Sequence, residues 1–153
     1  MLATRKVPEL EPGEMLIGAL LRVPAEAIFR RILRELNNAG FEGLSLPLIA
    51  VFRYPGPDGE RPCVLAERAG MSKQAMNRLL GSLEELGYLK RTAQSARSRA
   101  RIVHLTRRGH AAWAKIVETL RGIEREWNAE LGARDFALLK QLLIRVWNSP
   151  LAR

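Results

Sequence analysis

The chain is poor in the residues that build most reactive centres. It holds one cysteine, Cys63, and two histidines, His104 and His110. A single cysteine excludes an internal disulfide. The histidines stand six apart with no cysteine or acid at ligand spacing, so no metal site is expected. No phosphate-cradling glycine loop, zincin helix or nucleophile elbow occurs. Glu84 and Glu85 are neighbours on an expected helix, point about 100° apart and cannot share a substrate. The expectation is a protein that is not an enzyme and carries no cofactor. No apolar run approaches the roughly 20 residues of a membrane span, and no secretory signal is recognisable, which points to a cytoplasmic protein away from the membrane.

Acids are also scarce in one place. From Tyr88 to His110 there are seven Arg or Lys and no Asp or Glu. Over the wider stretch Glu67–His110 there are ten basic and three acidic residues, which accounts for most of a formal net charge of +9. Excess positive charge in one stretch is the footprint of a nucleic-acid binder. The whole chain, 153 residues with 47% hydrophobic content, is long enough for one domain with a real core.

The organising stretch runs from Cys63 to Leu105. A short helix from about Pro62 ends near Ala69-Gly70. Ser72 is placed to cap the next helix through its hydroxyl. From Lys73 to Leu86 apolar residues recur at 76, 79, 80, 83 and 86, one stripe of a helix. The other side of its leading end carries Lys73, Gln74, Asn77 and Arg78, donor-rich side chains suited to base edges and phosphates. The helix dipole favours a polyanion at that end. Gly81 allows close backbone approach. Gly87 ends the helix, and two β-like runs, Tyr88–Thr92 and Ala100–Leu105, frame a tip bearing Arg97 and Arg99, with Arg101 just inside the second run. Helix, turn, reading helix and basic hairpin together make a DNA-binding winged helix. The expected fold is mainly α with a small β wing.

Three segments carry a resemblance to a family: Leu65-Ala66-Glu67-Arg68-Ala69-Gly70-Met71-Ser72-Lys73-Gln74, Leu83-Glu84-Glu85-Leu86-Gly87-Tyr88-Leu89 and Val103-His104-Leu105-Thr106-Arg107-Arg108-Gly109. The central third of the chain resembles the MarR family of bacterial transcriptional regulators. The flanking helices match only in length and pattern. The resemblance implies a homodimer on pseudo-palindromic double-stranded DNA, with a small-molecule effector that releases many such regulators. Ser72, Lys73, Gln74, Asn77 and Arg78 would then meet the major groove, and Arg97, Arg99 and Arg101 the minor groove or its phosphates. The wing departs from the family. Its usual acid before a basic tip residue falls near Arg97 here, so the orienting acid–arginine pair is absent. The alternative reading is a winged-helix module that binds protein, which would need an apolar exposed face on the reading helix.

The rest of the chain falls into place around this stretch. Residues 1–13 read as a loose arm. Glu14 to Asn38 is helical, with Pro24 expected to kink or split it. Leu46 to Tyr54 reads as a short apolar helix capped by Ser45, with Pro47 in its first turn. Only a stub of strand is expected before Pro62. Thr106 caps a long helix over 107–131, broken by Gly132, and Asp135 to Trp147 forms a last helix, apolar over too wide an arc for one neighbour. A single domain over 1–153 follows, with 14–44 and 107–153 as the helical dimerisation region and 45–106 as the DNA-binding lobe. Trp127 and Trp147 are assigned to the dimer core, whereas Trp113 could line a ligand pocket. Met71 and Met76 are read as packing residues, His104 as an exposed strand residue. Cys63 is read as a small buried core residue rather than a redox sensor, since a reactive thiol needs a stabilising cluster and only Arg61 stands near it.

Overall fold

The computed structural model describes residues 13–52, 56–93 and 101–152. Helix α1, Ile17–Asn38, is followed by α2, Leu46–Ile49, which tightens into a 3-10 turn over Ala50–Phe52. Helices α3, Pro62–Arg68, and α4, Lys73–Glu85, form the helix-turn-helix. Strands β1, Leu89–Ala93, and β2, Arg101–Leu105, make an antiparallel hairpin in which Leu89 faces Leu105 and Ala93 faces Arg101. Helices α5, Arg107–Leu131, and α6, Ala133–Trp147, complete the chain before a final 3-10 turn, Pro150–Ala152.

The core lies where these elements converge. Ile32 and Leu36 of α1, Met76, Leu80 and Leu83 of α4, Tyr88 and Val103 of the hairpin and Ile116 of α5 are all buried. Apolar residues at steps of three and four on α4 put its whole hydrophobic stripe inward and its polar residues out. Tyr88 fills the centre of this core, and its phenol donates to the Glu42 carbonyl at 2.9 Å. Burial pushes that phenol above its ordinary pKa. Met76 is buried and Met71 packs against the core, as expected for packing residues.

No strand precedes α3 among the described residues; two backbone bonds join the segment before it to β2. Gly59 donates to Val103 at 2.8 Å, and Val103 donates to Glu60 at 2.9 Å. Asp58 extends the contact by accepting from the Leu105 amide at 2.7 Å. These bonds brace the wing against the loop that leads into α3.

Four expectations are corrected. Of the two outcomes expected at Pro24, a kink or a split, the split does not occur, because α1 runs continuously through it. The bond it removes is one that Leu20 would accept, in a solvent-exposed turn where water satisfies a carbonyl, and Ile28, Phe29 and Ile32 pack the next turns onto the core. Ser45 stands at the N-cap of α2 but makes no side-chain cap bond; Pro47 alone marks the helix start. Cys63 is exposed rather than buried. α3 buries Leu65 and Ala66, and Cys63, two residues before Leu65, lies about 200° around the helix from it. His104 is half-buried rather than exposed, between buried Val103 and Leu105. The arm over residues 1–12 and the end of the Leu46–Tyr54 segment lie outside the described residues.

Candidate nucleic-acid interface

The turn between α3 and α4 is built on Gly70, whose φ of 62° is open to glycine at little cost. Its amide donates to Glu67 and that of Met71 to Ala66, which closes α3 and swings the chain into Ser72. Ser72 then accepts from the Ala75 amide at 3.1 Å. One orphan N–H of the first turn is thereby satisfied, and that turn holds no acid.

Ser72, Lys73, Gln74, Asn77 and Arg78 are all exposed, on the side of α4 opposite Met76, Leu80 and Leu83. Among the described residues, Lys73, Gln74 and Arg78 have no side-chain hydrogen-bond or ion-pair partner. No described residue outside the helix's own backbone lies within 4 Å of the position a Cβ would take on Gly81. The leading end of α4 therefore offers a cationic, donor-rich face with an open backbone behind it.

Asn77 stands apart from these. Its Nδ2 donates to the Lys73 carbonyl at 2.9 Å, and its Oδ1 accepts from Arg91 Nη1 at 3.2 Å. Arg91 also binds Glu84. Its amide and Nε donate to the two carboxylate oxygens at 2.7 and 2.8 Å, and Nη2 adds a third bond. This guanidinium, aided by the charge of Arg101, holds the Glu84 carboxyl below its ordinary range, against the opposing effect of burial. Charge counting assigned Glu84 to the far end of the helix and Arg91 to the basic hairpin. Their partnership across the Gly87 turn was missed. The available signal was an acid near the helix C-terminus followed, past one tight turn, by a hairpin with no acid of its own.

Arg108 is also engaged. Its guanidinium lies 4.5 Å from the Tyr88 ring centre and donates to the Leu86 carbonyl at 3.1 Å. Arg101 is exposed at the start of β2, and Lys90 is exposed on β1. Arg97 and Arg99 lie outside the described residues.

A second feature lies behind the reading head. A cavity of about 800 Å³ opens between α1, the Ala50–Phe52 turn, α3 and α5, with Phe29, Phe52, Met76, Trp113 and Leu120 among its walls. Trp113 is the residue that sequence left open for such a role. Arg68 at this cavity is paired with Glu60 at 2.8 Å. A smaller cavity of about 390 Å³ between α1, α5 and α6 is walled by Trp127, Phe136 and Trp147. No helix among the described residues is long and apolar enough to cross a membrane.

A family model described as MarR family matches residues 63–100. Comparison with curated proteins gives no match. Among solved structures, a MarR family protein of Mycobacterium tuberculosis in complex with salicylic acid is 26% identical, with a TM-score of 0.64, over 88% of this chain and 98% of that one. The transcriptional repressor CouR, bound to a 23-mer DNA duplex, is 23% identical with a TM-score of 0.64, over 91% and 99% of the two chains. NadR in complex with 4-hydroxyphenylacetate is 22% identical with a TM-score of 0.65, over 92% and 99%.

Proposed function

We propose that this chain is a member of the MarR family of transcription regulators, a sequence-specific DNA-binding repressor that acts as a homodimer and responds to a small molecule. The observation that carries this reading is the exposed face of α4, where Lys73, Gln74 and Arg78 flank a capped helix N-terminus. A module that bound protein through this helix would need an apolar face there, and the face is polar.

In this reading Gln74 bonds an adenine edge and Arg78 takes guanine or a phosphate. Lys73 and the Ser72 hydroxyl hold phosphates. Arg97, Arg99 and Arg101 follow the minor groove, and residues 45–106 form the DNA-binding lobe. The helices of 14–44 and 107–153 form the two-fold interface that sets half-site spacing. The 800 Å³ cavity receives the effector, since it adjoins both the reading head through Met76 and the long helix through Trp113 and Leu120. CouR on DNA and the two ligand complexes support both halves of this reading.

Selection of bound duplexes from a random library tests it. The expected product is a palindrome with half-site centres about one helical turn apart, bound with a steep salt dependence. Recovery of no common sequence, or a flat salt dependence, would overturn the proposal.

A further inference from the structure

The hairpin has no acid between Tyr88 and His110, so any counter-charge for its cations comes from another element. For Arg91 it comes from the reading helix. The Arg91 side chain is 24% exposed and that of Glu84 30%, so the pair is largely shielded from water. Glu84 and Asn77 are seven residues apart, two turns along one face of α4. The Arg91 fork spans that distance, with Nε and Nη2 on Glu84 and Nη1 on Asn77. Asn77 passes the connection to the Lys73 carbonyl in the first turn of the helix. A continuous polar chain thus runs from the base of the wing to the leading end of α4.

This geometry bears on reading. One N–H of the Asn77 amide and one lone pair of its oxygen are already committed. These two bonds fix the orientation of the Asn77 amide, which is therefore not free to turn to a base edge as the unbonded Gln74 amide is. We propose that Arg91 is a positioning residue for DNA reading: through Glu84 and Asn77 it fixes the wing against the reading helix, and Asn77 anchors that latch instead of reading a base. The inference rests on the DNA-reading assignment above. It leaves Lys73, Gln74 and Arg78 to face the bases, at an angle to the wing that the latch sets. Lysine cannot replace Arg91, because an ammonium has no planar fork to bridge two acceptors two turns apart.

The test measures affinity of the full-length protein for its selected site and for random duplex across a salt series. Arg91→Lys keeps the charge and loses the fork. It should lose about tenfold on the selected site, stay within about twofold on random DNA and keep its salt slope. Glu84→Gln keeps the shape and removes a negative charge near the DNA. Charge alone would tighten binding to both duplexes, whereas the latch predicts weaker binding to the selected site and tighter binding to random DNA. Arg91→Lys combined with Asn77→Ala should lose no more than the worse single variant, as members of one unit do. Glu84→Gln tightening both duplexes alike, an unchanged specificity ratio in Arg91→Lys, or additive losses in the double variant would each overturn the latch. If the wild type selects a site and these ratios do not move, the latch alone falls; if it selects none, the DNA-reading assignment falls with it.

Discussion

At the scale of single residues, close approach and charge pairing each set a sharp expectation. Gly109 is buried in the first turn of α5, and a Cβ there would lie 1.9 Å from the Tyr88 carbonyl oxygen. That oxygen is backbone and accepts from the Thr106 amide at 3.1 Å, so it cannot swing aside as a side-chain tip would. Gly109→Ala should therefore push α5 off the hairpin and cost at least about 2 kcal/mol, read as a lower urea midpoint. The Glu84 carboxyl is held low by Arg91, so its contribution to stability is present above the unfolded-state pKa and is lost as pH falls through the folded one. Glu84→Gln should be less stable than the wild type at pH 7. The gap should begin to narrow as pH falls through the ordinary glutamate range and close only below the lowered folded-state value, where both proteins carry a neutral group. A gap constant from pH 7 to pH 3 would show that the carboxylate charge contributes nothing.

At the scale of elements, the parts legible in the sequence are those decided locally. α4 and α5 could be placed because each carries a single apolar stripe and a hydroxyl cap: Ser72 accepts from Ala75 and Thr106 from Gly109, both at 3.1 Å. Thr106 does more, since its hydroxyl also donates to the Gly87 carbonyl at 2.6 Å and so ties the start of α5 to the end of the reading helix. Thr106→Val removes both bonds and should cost more than the roughly 1 kcal/mol expected of Ser72→Ala. Equal losses in thermal unfolding would argue that the Gly87 bond adds nothing. What sequence missed was decided by distant partners. Whether Pro24 ends a helix depends on the packing beyond it. Whether Cys63 is buried depends on which face of a seven-residue helix finds the core. The Glu84–Arg91–Asn77 chain depends on a turn that folds the wing back, and the large cavity needs residues from nearly every helix to exist at all.

At the scale of the whole molecule, the apolar surface is unevenly distributed. α6 has no buried residue, although Leu138, Leu139, Leu142, Leu143, Ile144 and Val146 lie along it, and Trp147 is 70% exposed. The start of α1 is similar, with Leu16, Ile17, Leu20 and Leu21 exposed. Contiguous apolar faces of this extent are rare on soluble monomers, and each methylene left in water costs about 0.8 kcal/mol relative to burial. The core cluster closes without a residue of α6, and Ile28 of α1 and Leu120 of α5 are the outermost residues packed against it. A second copy is the occupant that the proposed function calls for, and an isologous contact would place two reading helices on one face of a duplex. Leu138→Asp with Leu142→Asp puts two charges on α6 without touching the reading head. The variant should sediment as a monomer at micromolar concentration, where the wild type sediments as a dimer. On the palindromic site it should lose at least about 100-fold, because the second half-site no longer adds its contacts through an intramolecular step. Its affinity for an isolated half-site should match that of the wild type. A variant that stays dimeric with full affinity for the palindrome would move the interface away from α6. A monomeric variant that keeps that affinity would instead separate dimerisation from recognition.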